Sequence, residues 1–230
     1  MKAALIIPAF NEELSIGKTI DGFLKVKPDI KIIVCDNGSQ DKTAELASKH
    51  GAQVVTENER GYGIACQKAI SALPADCDIV IFADGDCADN PKDLDLLLNP
   101  IVEEKFDFVL GSRMLRVQQQ GALTPHARFG NWLATTLIRM IWKVSYTDLG
   151  PFRAIKKEAL ETLEMRDRNF GWTIEMQIKA IFAGLKIKEV NVAYRKRIGK
   201  SKVSGTIKGS FLAGVIILRT IFIYWRRKTV

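Results

Sequence analysis

The sequence predicts an α/β fold, with a mostly parallel sheet flanked by helices. Three observations carry that prediction. Short apolar runs alternate with helix-length stretches through the first half of the chain, the pattern of repeated βαβ units. One run, Ile79-Val80-Ile81-Phe82-Ala83, is continuously apolar, as a strand buried on both faces is. It leads straight into the acids Asp84, Asp86 and Asp89, which places them at the carboxyl edge of the sheet, where open α/β folds hold ligands.

Strands are expected over 3–8, 31–35, 53–56, 78–83 and 106–110, with helices over 15–25, 41–50, 63–73 and 92–103 between them. The second half reads as a long apolar helix at 129–142, helices at 156–163 and 171–183, and a late strand at 186–194. No internal repeat or low-complexity linker interrupts this order. One domain over 1–205 is therefore expected, followed by an apolar, basic-ended helix over 206–230. With 230 residues, 47% of them hydrophobic, the chain is long enough for a sizeable core and is not disordered.

The net charge of +8 is unevenly placed: 12 of the 34 Lys and Arg fall from Lys186 onward, against the single acid Glu189. That asymmetry points to an anionic partner, either phosphate groups, a membrane surface or nucleic acid. Nucleic acid is disfavoured, because the tail is apolar between its charges and carries no stacking platform. Cys35, Cys66, Cys77 and Cys87 lack metal-ligand spacing and read as reduced core residues. The N-terminus enters a strand without a secretory pattern, so a cytoplasmic location is expected.

The loops after the strands hold the candidate chemistry. Asn11-Glu12-Glu13 follows the first strand and suits either a ligand or a helix cap. Asp36, after the second, is placed to accept hydrogen bonds from a ribose or base; Asn37-Gly38-Ser39-Gln40-Asp41 also reads as a turn and cap. Arg60-Gly61-Tyr62-Gly63 opens the third helix and allows close backbone approach to an anion, or is simply a glycine-rich loop. Asp84 and Asp86, two apart on an extended segment, can share one hard cation such as Mg²⁺ or Mn²⁺, with Gly85 between them. The plainer alternative is an acidic turn capped by Asp89 or Asn90 ahead of Pro91.

Further on, Gly111-Ser112-Arg113 ends the fifth strand. A polar stretch, 118–121, suggests a loop over the site, and Arg128 starts the next helix. Arg195 to Lys202 is densely basic, suited to phosphate oxygens or to a solvated surface. The segment 209–225 is apolar except for Arg219 and is shorter than the about 20 residues that a spanning helix needs. A helix lying in a membrane interface, held by Tyr224, Trp225 and the basic end, is preferred to a buried or a spanning one.

Six motifs in order resemble the family-2 inverting glycosyltransferases of the GT-A, Rossmann-like fold. They are Ile7-Pro8-Ala9-Phe10-Asn11-Glu12-Glu13, Asp36-Asn37-Gly38-Ser39, Asp84-Gly85-Asp86, Gly111-Ser112-Arg113, Gly150-Pro151-Phe152-Arg153 and Arg197-x-Gly199-x-Ser201-Lys202. The subgroup of dolichyl- or polyprenyl-phosphate hexose synthases is the most similar. The resemblance implies a nucleotide-sugar donor of GDP-mannose or UDP-glucose type and a lipid-phosphate acceptor at a membrane surface. It assigns Pro8, Ala9, Asn11, Glu12, Asp36, Asn37, Gly38, Asp84, Gly85, Ser201 and Lys202 to the nucleotide sugar. Asp84 and Asp86 would ligate Mg²⁺ or Mn²⁺. Arg113 and Arg128 would face the acceptor phosphate or donor sugar, and Arg197 would contact phosphates.

The chain departs from that subgroup at Ala88, where its members often carry Gln, so that Asp89 or water would complete the metal shell. It also has Leu149-Gly150-Pro151 where they have Ser-Gly. A phosphate acceptor is already a nucleophile; a hydroxyl acceptor needs a carboxylate base, for which Glu175 is the available candidate. The alternatives are thus a soluble or saccharide hydroxyl acceptor, or a non-catalytic nucleotide-sugar-binding subunit.

Overall fold

Seven strands among the described residues form a single sheet in the order β3-β2-β1-β4-β6-β5-β7. The computed structural model describes residues 1–114, 119, 121–199 and 207–228. The first half follows the expected alternation: β1 (Ala3–Ala9), α1 (Ile16–Val26), β2 (Lys31–Asp36), α2 (Thr43–Lys49), β3 (Gln53–Thr56), α3 (Tyr62–Ile70), β4 (Ile79–Phe82), a 3₁₀ turn (Pro91–Asp93) and α4 (Leu94–Val102). β5 (Phe108–Ser112), α5 (Pro125–Trp142), β6 (Arg153–Lys156), α6 (Lys157–Thr162), α7 (Trp172–Phe182), β7 (Ile187–Asn191) and α8 (Ile207–Lys228) complete it.

Every neighbour pair is parallel except the two made by β6, which runs antiparallel to both β4 and β5. β6 is the strand that sequence patterning did not predict. It has only four residues, with charged Arg153 and Lys156 at its ends, too short a signal for a period of two. β5 extends two residues past its expected end, because Gly111 and Ser112 pair with Val190 and Asn191 of β7.

Alternation on the pleat divides the core. Ala4 and Ile6 of β1 face a layer containing α3, α5, α6, α7 and α8 residues, whereas Leu5 and Ile7 face α1, α2 and α4. Phe82 of β4 packs against Trp172 of α7 on the first side. α5 starts earlier than expected: the Thr124 hydroxyl accepts from Ala127 N–H and Pro125 takes the first helical position, a well-matched start.

α8 does two things at once. Ile221 and Tyr224 are buried in the core, while Leu212, Val215, Leu218, Phe222, Ile223 and Trp225 are exposed. Its inner side packs on α5 and α7. Among the described residues no helix is long and apolar enough to cross a membrane.

Candidate active site

The carboxyl ends of β1, β2, β4 and β5 open on one cavity of about 550 Å³. Pro8, Ala9, Phe10 and Glu12 line it from β1, Asp84, Gly85 and Asp86 from β4, and Arg113 from β5. Arg60, Gly61 and Tyr62 form another wall, and Tyr194 and Arg197 close it from the segment after β7.

Arg197 reaches the acids because its segment runs along theirs. Arg195 N–H donates to the Ala88 carbonyl at 2.8 Å and Ile198 N–H to the Asp86 carbonyl at 2.9 Å. Arg197 Nη2 then lies 3.1 Å from Glu12 Oε1 and 3.3 Å from Asp86 Oδ2. Glu12 is itself fixed, with its other oxygen accepting from Ser15 Oγ at 3.0 Å and its N–H donating to Thr43 Oγ1 at 2.8 Å.

Around Asp84 negative charge is concentrated. Its carboxyl is pushed up to about 7, first by burial and then by the Asp86 carboxylate beside it, with Arg197 and Arg113 acting in the opposite direction. Asp86 Oδ1 accepts from Ala88 N–H at 2.9 Å, but its Oδ2 is a buried oxygen without a hydrogen bond; the Arg197 contact is an ion pair only. Asp89 is buried behind Asp84: Oδ2 accepts from Asp84 N–H at 3.1 Å, Oδ1 has no hydrogen-bond donor, and burial holds its carboxyl well above the usual carboxylate range.

An underserved Asp86 oxygen beside a half-titrated Asp84 is a donor set that fits a hard divalent cation. Among the described residues no group of three or more His, Cys, Asp or Glu has metal-holding geometry. A cation bound here would have Asp84 and Asp86 as its carboxylates, and its remaining positions would fall to substrate oxygens and water. The capping alternative holds as well: Asn90 Oδ1 accepts from Lys92 N–H, ahead of Pro91.

Arg113 is set rigidly. Its guanidinium donates to both oxygens of Asp148 and lies 4.9 Å from the centre of the Tyr194 ring. Burial works against that cation, but the Asp148 charge and hydrogen bonds outweigh it and raise its pKa. On the opposite wall the Arg60 guanidinium stacks 3.6 Å from the centre of the Phe10 ring, and Tyr62 OH points at Asp84 Oδ1 from 3.5 Å.

Asn37 lines the cavity, whereas Asn11, Asp36 and Gly38 stand behind its wall. Asn37 ties β2 to the Arg60 loop: its amide donates to the Glu57 and Glu59 carbonyls and accepts from Gly61 N–H. Asn11 is left-handed (φ 52°) and accepts from Gln40 N–H at 2.8 Å. Asp36 is buried and accepts from Ser39 N–H at 3.4 Å; Gly38, at φ 72°, makes the turn between them.

Arg128 is exposed on the first turn of α5 and does not line the cavity, although Thr124 and Ala127 beside it do. Glu175 is not brought to the cavity either. It is 2% exposed within the α6–α8 layer, and its carboxylate is occupied by the N–H groups of Arg166 and Asp167, by Tyr224 OH and by Lys179. Ser201 and Lys202 lie outside the described residues.

Sequence reasoning assigned no role to Phe10, Tyr194, Asn169, Phe170 or Asp148. The first four carry an aromatic or amide group with no spacing signal. Asp148 was detectable only as an acid just ahead of Gly150-Pro151.

Comparison with known proteins gives the family and the fold. The model of glycosyl transferase family 2 matches residues 4–164, and the chain belongs to that family; it is a glycosyltransferase. An uncharacterised glycosyltransferase of Mycobacterium tuberculosis is 34% identical over 213 residues, covering 91% of this chain and 93% of the relative. A dolichyl-phosphate hexose transferase of Haloferax volcanii is 30% identical over 93% of this chain and 92% of its own length. Among solved structures, glucosyl-3-phosphoglycerate synthase from Mycobacterium tuberculosis, crystallised with Mn²⁺, UDP and phosphoglyceric acid, superposes with a TM-score of 0.75 at 23% identity, over 96% of this chain and 78% of that one. The fold is therefore GT-A, as expected.

Proposed function

We propose that the protein transfers a hexose, with inversion, from a nucleoside-diphosphate sugar to polyprenyl or dolichyl phosphate. The observation that carries the choice of acceptor is the absence of a spare base. Among the described residues the only acids lining the cavity are Glu12, Asp84 and Asp86. Glu12 is held by Arg197 and Ser15, and the two aspartates are the candidate cation ligands. A hydroxyl acceptor would need a free carboxylate within reach, whereas a phosphate monoester attacks without one. The activity of the Haloferax relative supports the same reading.

In this mechanism Asp84 and Asp86 are the residues that would hold Mg²⁺ or Mn²⁺, and the cation would supply positive charge to the leaving diphosphate. Arg197, 27% exposed at the cavity wall, exchanges its carboxylate contacts for a diphosphate oxygen. Arg113, locked by Asp148 and stacked on Tyr194, presents a fixed cation to the acceptor phosphate or donor sugar. The Arg60–Phe10 stack and the backbone at Pro8 and Ala9 flank the nucleoside. Such pre-set charges act where charge develops and need no reorganisation.

A membrane-borne acceptor also accounts for the outside of the molecule. Neither α5 nor α8 contains an acid, and their exposed residues include Phe129, Trp132, Leu218, Phe222 and Trp225. Apolar residues with flanking Arg and Lys suit an anionic lipid surface. We place the protein peripherally, on the cytoplasmic face, with the segment 206–230 as its attachment and 1–205 as the catalytic domain.

The direct test incubates purified protein and Mn²⁺ with labelled UDP- and GDP-sugars and polyprenyl phosphate in detergent. Metal-dependent label in the organic phase from one donor is expected. Transfer to phosphoglycerate or another soluble acceptor instead, with no lipid label, would overturn the reading.

A further inference from the structure

The carboxylate of Glu175 is a junction between three elements. From α7 it accepts Asp167 N–H at 2.6 Å and Arg166 N–H at 3.1 Å, both from the loop after α6. It accepts Tyr224 OH of α8 at 2.8 Å, and Lys179 Nζ lies 3.0 Å away as counter-ion. Glu175 is 2% exposed, and its removal would take a buried acceptor from the loop and from α8 at once.

The loop it holds forms part of the wall of the donor cavity. Ile64 N–H donates to the Arg168 carbonyl at 3.1 Å, and Gln67 Nε2 to the Met165 carbonyl at 3.2 Å. The contact with the start of α3 is backbone on backbone: a Cβ on Gly61 would sit 2.1 Å from the Arg168 carbonyl oxygen, and one on Gly63 2.1 Å from that of Asp167. Arg168 also pairs with Glu59. The next two residues, Asn169 and Phe170, line the cavity together with Arg60, Gly61 and Tyr62, with Asn169 packed against Gly61, and Tyr62 points at Asp84.

We infer that Glu175 is a positioning residue for donor binding: through the 165–170 loop it sets the Gly61–Gly63 wall, and through Tyr224 it makes that wall depend on the seating of α8. This rests on the reading of the cavity as a nucleoside-diphosphate site. The Tyr224–Glu175 bond is the link by which the apolar C-terminal helix acts on the cavity.

The test compares Tyr224→Phe and Glu175→Gln with Tyr146→Phe, in the full chain. Tyr146 is a buried tyrosine whose OH donates to the Gln177 carbonyl at 3.2 Å, and it contacts neither the loop nor α8 by that bond; it controls for loss of a buried hydroxyl alone. Two readouts are taken: calorimetric titration with UDP and GDP in the presence of Mn²⁺, and amide hydrogen exchange over 165–170.

Tyr224→Phe is expected to weaken nucleotide binding about three- to tenfold, as one lost charge-assisted bond allows, and to speed exchange at Arg166 and Asp167. Glu175→Gln should go further in both readouts, and Tyr146→Phe should move neither. Unchanged exchange over the loop in Tyr224→Phe, or equal effects of Tyr146→Phe, would overturn the inference. If the wild type binds neither nucleotide, the donor reading falls and the donor role of Glu175 falls with it. Faster loop exchange would then still identify Glu175 as the tether of α8. Wild-type binding that is unchanged in both variants sinks the inference alone.

Discussion

Arg113 and Asp148 meet fork to fork: Nε donates to Oδ2 at 2.7 Å and Nη2 to Oδ1 at 2.8 Å, with Asp148 almost fully buried. Arg113 backbone N–H adds a third bond to the same carboxylate. Removing one partner of such a pair strands the other charge. Asp148→Ala is expected to cost about 3–5 kcal/mol in urea unfolding. Arg113→Lys keeps the charge but loses the planar fork, and should lower kcat/KM at least about tenfold while costing less stability.

Arg197 should show its role in kcat. Arg197→Ala removes the cation shared by Glu12 and Asp86, and a fall of about 10²–10³-fold in kcat is expected, the range for loss of one pre-set charge stabiliser. Asp86→Ala should abolish metal-dependent turnover and weaken Mn²⁺ binding, read by the electron spin resonance signal of free Mn²⁺. Turnover that persists in Asp86→Ala would exclude the metal role.

The titration of Asp84 predicts two opposite pH trends. Its folded carboxyl is raised to about 7 by burial and by Asp86, so between about 4 and 7 the folded state of the metal-free protein holds a proton that the unfolded state has released. Stability from this group therefore falls as pH rises through that window, and levels off above it. A cation competes with the same proton, so Mn²⁺ affinity should rise up to about tenfold per pH unit below 7 and flatten above. Mn²⁺ titrations at pH 6, 7 and 8 check the sign.

The outward residues of α5 and α8 should matter for membranes and not for folding. Trp132 is 58% and Phe222 51% exposed. Trp132→Asp with Phe222→Asp is expected to lower sedimentation with vesicles containing phosphatidylserine, and to leave stability within about 0.5 kcal/mol. Equal sedimentation of wild type and double variant would remove these helices from the membrane reading.

How much of this was readable beforehand varies by residue for physical reasons. β4 and the acids after it were legible, since a doubly buried strand is a continuous apolar run and its end marks the ligand edge. β6 was not, because its four residues are placed by their neighbours on both sides rather than by their own pattern. Asp84, Asp86, Arg113 and Arg197 converge on one cavity. Glu175 was legible as an acid in the first turn of a helix, but the direction in which that turn faced was not; the fold points it at Tyr224. Asn37 and Asn11 show the same limit: a polar side chain after a strand reads alike whether it lines the cavity while tying loops together, as Asn37 does, or only holds another loop, as Asn11 does.

The antiparallel strand has a consequence for how the chain is made. β4 and β5 are separated in the sheet by β6, whose residues come later in the sequence than either. As the polypeptide leaves the ribosome, β1 to β4 can assemble from local βαβ contacts, but the β4 edge has no partner until Arg153–Lys156 emerges. An uncovered strand edge invites pairing with other chains. Premature termination between Asp89 and Arg153 would thus release a fragment that has its acidic motif but also a bare β4 edge, and such fragments should aggregate rather than bind.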